Sequence, residues 1–178
     1  MTEHDFVDFR RRWLAGSILR YHQHTLINQQ NVGRHTYGVV QIIRTIHPNC
    51  SKELLLKGLD HDVPELASGD IPHPVKKFKD IGKIIQEYEK DFVTETQVSE
   101  TEFWILKIAD IMDLLLYIEY EKLLGNKTLV TMEFVAVRVL ESLYPRVPED
   151  VSRNAKVLMY RAHQGLMQQD ERTYGVLL

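Results

Sequence analysis

The chain has 178 residues, a formal net charge of −3 from 22 Lys and Arg against 25 Asp and Glu, and 44% hydrophobic residues. That length fits one domain with its own core, and that charge offers no duplex-binding surface, which excludes nucleic acid as an expected partner. The single cysteine, Cys50, allows no internal disulfide and suits a reducing cytoplasm. The polar start Met1-Thr2-Glu3-His4-Asp5 is unlike a signal peptide, and no apolar run reaches membrane-spanning length. No membrane contact is expected.

In chain order, Thr2 and Asp5 form a capping box with Asp in place of Glu. Phe6, Phe9, Trp13 and Ser17/Ile18 recur at helical spacing behind it, which predicts a first helix to about Arg20. Residues 21–30 have no period and read as a loop. A second helix is expected from about Asn31 to Ile46, its apolar stripe of Val39, Ile42, Ile43 and Ile46 reaching His35 one turn back. Ser51 is placed to cap a third helix that carries His61 and Asp62. Pro64 should kink that helix or end it early, and Ser68-Gly69-Asp70 closes it. Ile71-Pro72-His73-Pro74 is a stiff turn. A fourth helix follows, with Val75, Phe78, Ile81, Ile84/Ile85, Tyr88 and Phe92 expected to face inward. Ser99-x-x-Glu102 is a full capping box opening a long fifth helix to Leu124. Phe103, Leu106, Asp110, Leu114, Tyr117 and Glu121 are expected on its inner face. Two more helices, roughly 129–143 and 148–169, complete an all-α bundle of about seven helices in a single domain spanning 1–178.

Against these apolar faces the ligand-type residues stand out. His61, Asp62 and Glu65 put three such groups into little more than one helical turn, among Leu54, Leu55, Leu59, Val63 and Leu66. On a helix His61 and Glu65, four apart, share a face. Ionisable groups in that company need partners or a cation. His35 and Asp110 fall on the apolar faces of two further helices. An aspartate is disfavoured mid-helix and so marks a specific partner, with Asp113 as the other candidate. Imidazole nitrogens and carboxylate oxygens together suit a divalent ion such as Co²⁺, Zn²⁺, Mn²⁺ or Fe²⁺. Two of each leave positions for a water and a phosphate oxygen, the needs of metal-assisted phosphate hydrolysis. Glu65 stands where it could orient or deprotonate that water. Other signals are ordinary: His22-Gln23-His24 reads as a solvent-facing loop, and Gly125-Asn126-Lys127-Thr128 lacks the upstream glycine of a P-loop.

The order His35, His61-Asp62, Asp110 resembles the HD-domain metal-dependent phosphohydrolases. The longer string from His61 to Lys76, ending Gly69-Asp70-Ile71-Pro72-His73-Pro74-Val75-Lys76, resembles the signature of the bacterial 5′-deoxynucleotidases and of the short viral dATP triphosphohydrolases. Arg20-Tyr21 ahead of His35 is a further shared feature, and the short chain is nearer the viral branch.

The resemblance implies a metal held by His35, His61, Asp62 and Asp110: Co²⁺, Zn²⁺ or Mn²⁺, with Mg²⁺ accompanying a triphosphate. It implies Asp62 and Glu65 as the catalytic pair, with Glu65 handling the attacking water. Arg20 and Lys76 would meet the phosphates, one as a bidentate fork and the other as a point charge. Asp70 would accept from the sugar 3′-hydroxyl, Tyr21 would crowd the 2′ carbon, and Gln23 and Pro74 would line the base pocket. The implied substrate is a small deoxynucleotide, dATP, cleaved to deoxyadenosine and triphosphate in a phage whose DNA carries 2-aminoadenine. A homo-oligomer, dimer or hexamer, is implied as well. The chain departs from the deoxynucleotidases in having Tyr21 where they carry Trp, and Arg34 where they carry Glu. The positive charge of Arg34 suits a polyphosphate tail. The alternatives are a 5′-deoxynucleotidase acting on monophosphates and, outside enzymes, a nucleotide-binding regulatory module, which would be expected to lack Glu65 or one of the ligands.

Overall fold

A computed structural model describes residues 2–76, 78–92 and 96–167. Among them stand seven helices of nine residues or more, two one-turn helices and two 3-10 turns, with an isolated bridge between Leu19 and Asn31 as the one β pairing. The all-α expectation holds. The chain falls into two compact units, Met1–Val40 with Ser51–Val98, and Gln41–Cys50 with Ser99–Leu178. No helix among the described residues is long and apolar enough to cross a membrane.

In the first unit, Thr2 caps α1 (Glu3–Ala15) through the expected box: its hydroxyl accepts from Asp5 N–H at 3.1 Å, and Asp5 accepts from Thr2 N–H at 2.7 Å. The helix stops about a turn before the expected Arg20. Its continuation is drawn into backbone pairing instead: Gly33 N–H donates to the Gly16 carbonyl at 3.0 Å, Val32 N–H to Ile18, and Arg20 N–H to Gln30. A Cβ on Gly33 would stand 3.1 Å from the Gly16 carbonyl oxygen, so a larger residue would push this pairing apart by a few tenths of an ångström. The result is a closed loop over residues 17–31 whose two ends are pinned together.

Helix α2 (Val32–Ile46) follows the prediction, with His35, Val39, Ile42, Ile43 and Ile46 all buried. Ser51 caps α3 (Lys52–Asp60) by accepting from Leu54 N–H at 3.0 Å. The expected single helix through His61 and Asp62 is not found. His61 is already the C-cap, and tight i to i+3 turns carry the chain into the one-turn α4 (Glu65–Ser68). Pro64 disfavours helical geometry at Val63, and the helix ends ahead of it. The shared helical face of His61 and Glu65 is therefore replaced by a turn.

The one-turn α5 (His73–Lys76) and α6 (Lys79–Glu89) take the place of the expected fourth helix, and a 3-10 turn at Lys90–Phe92 ends the run. Its inward stripe is corrected by the structure. Ile85 is buried, but Phe78, Ile81, Ile84 and Tyr88 face solvent, Ile84 at 68% exposure. Periodicity identified an apolar face and misjudged what covers it.

In the second unit, Ser99 and Glu102 form the predicted box at the start of α7 (Glu100–Leu123), which packs on α8 (Val130–Leu143) and α9 (Glu149–Met167). Leu106, Tyr117 and Glu121 are buried as expected, whereas Phe103 is exposed and Asp110 and Leu114 are half-buried. Ile105, Ile108, Met112 and Leu115 carry the buried face instead. The fully buried Glu121 accepts from Asn126 Nδ2 at 2.8 Å, and Asn126 Oδ1 accepts from the Thr128 hydroxyl at 2.7 Å. The Gly125–Thr128 segment is thus a helix stop that satisfies a buried carboxylate.

Candidate metal and phosphate site

Three elements bring their ligand-type side chains together in the first unit. His35 sits on the buried face of α2, His61 ends α3, and Asp62 opens the turn beyond it. The Nε2 atoms of the two histidines stand 3.3 Å apart, and each lies 3.4 Å from one oxygen of Asp62. One ligand atom from each of the three residues falls within 4.8 Å of the others. His61 Nδ1 lies 2.8 Å from the Gly58 carbonyl oxygen. Donating there fixes the tautomer and leaves the Nε2 lone pair aimed into the cluster, the usual arrangement behind a metal-bound imidazole. Nitrogen and carboxylate donors converging in a mostly buried place fit a borderline divalent cation.

Glu65 lies beside this cluster. It is buried, its Oε1 accepts from Lys76 Nζ at 3.2 Å, and its Oε2 has no hydrogen-bond partner among the described residues. Burial, aided by the Asp62 charge, pushes its carboxyl up to about 8, with Lys76 pulling the other way. For Lys76 burial works against the ammonium, yet the neighbouring Glu65 more than offsets it and holds the group above its ordinary value. Desolvation of the buried Glu65 acid outweighs the attraction of the half-exposed Lys76 ammonium.

Arg20 is supplied by the closed loop. Its guanidinium stacks over the Tyr21 ring at 4.8 Å, and Nη2 is 4.0 Å from Asp62 Oδ2. Asp70 Oδ2 accepts from Tyr21 N–H at 2.6 Å. Gly69 has φ of 73°, the left-handed geometry that turns the chain out of α4 and aims Asp70. His35, His61, Asp62, Arg20, Tyr21 and Asp70 are therefore linked by direct contacts in one unit, and the Glu65–Lys76 pair joins them through the Glu65 N–H, which donates to the Asp62 carbonyl at 3.1 Å.

The other predicted residues stand differently. Asp110 lies on α7 in the second unit, its Oδ2 3.7 Å from Lys107 Nζ, and Asp113 is buried on the same helix. Gln23 is exposed in the loop. The backbone of His73 and Pro74 forms α5, while the side chains of both, with the base-pocket role expected of Pro74, lie outside the described residues. Sequence reasoning missed Gln29 and Gln30, whose side chains reach the Arg20 carbonyl and guanidinium. It also missed Glu89 on α6, which accepts from the Ser68 hydroxyl. Hydrogen bonds of this kind leave no periodic signal.

The fold is that of an HD-type helical domain. A solved structure described as the cyanophage S-2L HD phosphohydrolase (DatZ) bound to dA and one catalytic Zn²⁺ ion superposes with a TM-score of 0.72. The match covers 92% of this chain and 98% of that one at 18% sequence identity. No protein-family model matches the sequence, and no curated protein does.

Proposed function

We propose that this protein is a metal-dependent hydrolase of 2′-deoxynucleoside 5′-phosphates, with dATP as substrate and deoxyadenosine and triphosphate as products. The convergence of His35, His61 and Asp62 beside the buried Glu65 carries this reading. The likeness to a phosphohydrolase that binds dA and Zn²⁺ supports it.

His35, His61 and Asp62 would hold a divalent cation, Zn²⁺, Co²⁺ or Mn²⁺, and Asp110 is the proposed fourth ligand. When bound, the cation polarises a phosphoryl oxygen and acidifies a coordinated water. Arg20 and Lys76 bind the phosphates, and Mg²⁺ accompanies the triphosphate. Glu65 takes a proton from the water that attacks the α-phosphorus and returns it to the departing 5′ oxygen. Asp70 offers its second oxygen to the 3′-hydroxyl. The Tyr21 ring crowds the 2′ carbon and disfavours a ribose, and Gln23 and Pro74 line the base pocket. The setting is the cytoplasm, a host's if the protein is viral, where the activity would deplete dATP for a phage with 2-aminoadenine DNA. The apolar residues exposed on α1 and α6, among them Phe9, Trp13, Ile84 and Tyr88, support a homo-oligomer.

The test is product analysis with dATP, dGTP, ATP and dAMP in the presence of Zn²⁺, Co²⁺ or EDTA. Metal-dependent release of deoxyadenosine and triphosphate from dATP, with ATP spared, is expected. Turnover of monophosphates alone would move the protein to the 5′-deoxynucleotidases. No turnover with any metal would leave a nucleotide-binding regulatory module.

A further inference from the structure

Tyr21 has φ of 56°, and among the described residues it is the one non-glycine with positive φ. That region brings Cβ close to the following carbonyl and is costly for an L side chain. A strained backbone persists only where its surroundings hold it. Here the hold comes from far along the chain, as Asp70 Oδ2 accepts Tyr21 N–H at 2.6 Å. A carboxylate acceptor makes a stronger bond to a backbone N–H than a neutral oxygen does. Asp70 is itself aimed by the left-handed Gly69 that terminates α4.

The residue just before this turn is Arg20. Its N–H donates to the Gln30 carbonyl at 2.9 Å, and its carbonyl accepts from the Gln29 side chain. With Asp70 on the next N–H, the peptide groups on both sides of the Arg20 Cα are fixed. The guanidinium then rests on the Tyr21 ring and reaches to 4.0 Å from Asp62. Moving the Tyr21 peptide would swing the ring that supports it.

Resting on the phosphohydrolase reading, we propose that Asp70 is a positioning residue. By holding Tyr21 N–H it fixes the left-handed turn that seats the Arg20 guanidinium beside Asp62, and so governs phosphate capture through Arg20. This effect is separate from any contact Asp70 makes with a sugar.

The experiment follows amide exchange at Tyr21 by NMR in the metal-free protein, and binding of inorganic tripolyphosphate by the Zn²⁺-loaded protein. Asp70→Ala is expected to speed Tyr21 exchange and to weaken tripolyphosphate binding, each by about tenfold. Asp70→Asn keeps an acceptor oxygen in place and is expected to restore both. Arg20→Ala should weaken binding at least as much, and Asp70→Ala added to it should weaken binding no further. Tripolyphosphate has no sugar, so a purely sugar-binding Asp70 would leave that affinity unchanged. The rescue by Asn and the lack of additivity are outcomes that general loss of stability would not produce. Unchanged Tyr21 exchange in Asp70→Ala, or effects of the two substitutions that multiply, would overturn the proposal. If Asp70→Ala does not fold, Asp70→Ser is read in its place. Failure of the wild-type protein to bind tripolyphosphate would sink the phosphohydrolase reading and with it the phosphate-capture part of the inference, while Tyr21 exchange would still decide whether Asp70 holds the turn.

Discussion

His35 and His61 turn their Nε2 atoms toward each other across 3.3 Å, while His61 Nδ1 is engaged with the Gly58 carbonyl. Two imidazole nitrogens facing each other beside the Asp62 carboxylate are best satisfied by a shared cation. Calorimetric titration with Zn²⁺ is therefore expected to show binding. At a hundredfold excess over Kd the folded state should gain about 2.7 kcal/mol, read as a rise in Tm. His35→Ala and His61→Ala should each abolish that gain. Stabilisation that survives both substitutions would place the metal elsewhere.

Glu65 gives the metal-free protein a pH dependence whose sign can be worked out. Its folded-state carboxyl is raised from an ordinary 4.5 to about 8, chiefly by burial and by Asp62. A group with a raised pKa contributes stability that is complete below the unfolded value and is lost as pH rises through the folded one. Thermal melts in EDTA should therefore show Tm falling between about pH 4.5 and pH 8. Glu65→Gln stays neutral throughout and should flatten that slope. With metal present the same substitution should leave Zn²⁺ affinity nearly intact and lower kcat by about 10²–10⁴-fold. Full activity in Glu65→Gln would remove Glu65 from the chemistry.

The two capping boxes, the α2 stripe ending on His35 and the early stop before Pro64 were legible because each is local, set by residues within a turn of one another. The seating of Arg20 was not. It depends on Tyr21 adopting a conformation that its residue type does not advertise, held by a carboxylate 49 positions away. Likewise the period of α6 marked Ile84 and Tyr88 as one face without revealing that the face meets solvent. Spacing gives the direction of a side chain relative to its helix and says nothing of what stands opposite.

The Lys76 ammonium faces the buried Glu65 carboxyl, its Nζ 3.2 Å from Oε1. Removing it should act in two ways. Lys76→Ala is expected to weaken triphosphate binding by roughly tenfold through loss of a charge-assisted contact. It also takes away the main influence lowering the Glu65 carboxyl. The metal-free stability loss should therefore move to higher pH than in the wild type. Steady-state KM for dATP and the EDTA melts separate the two effects. A variant with unchanged KM but a shifted melting profile would confine Lys76 to supporting Glu65.

The exposed face of α6 leads to a prediction about assembly. Ile81, Ile84 and Tyr88 are spaced i, i+3 and i+7 on one side of the helix, and Ile84 and Tyr88 are 68% and 63% exposed. Contiguous apolar surface of this kind is rare on a monomer and marks a contact face. Light scattering on the wild-type protein is expected to give a mass above that of one chain. Ile84→Glu places a charge in the middle of the face and should reduce that mass. Because the side chain faces solvent within its own chain, the substitution should change the stability of the separated chain by no more than about 0.5 kcal/mol. An unchanged mass in both Ile84→Glu and Tyr88→Glu would show that the chains associate through another surface, with the exposed apolar face of α1, where Trp13 is 69% exposed, next to be substituted.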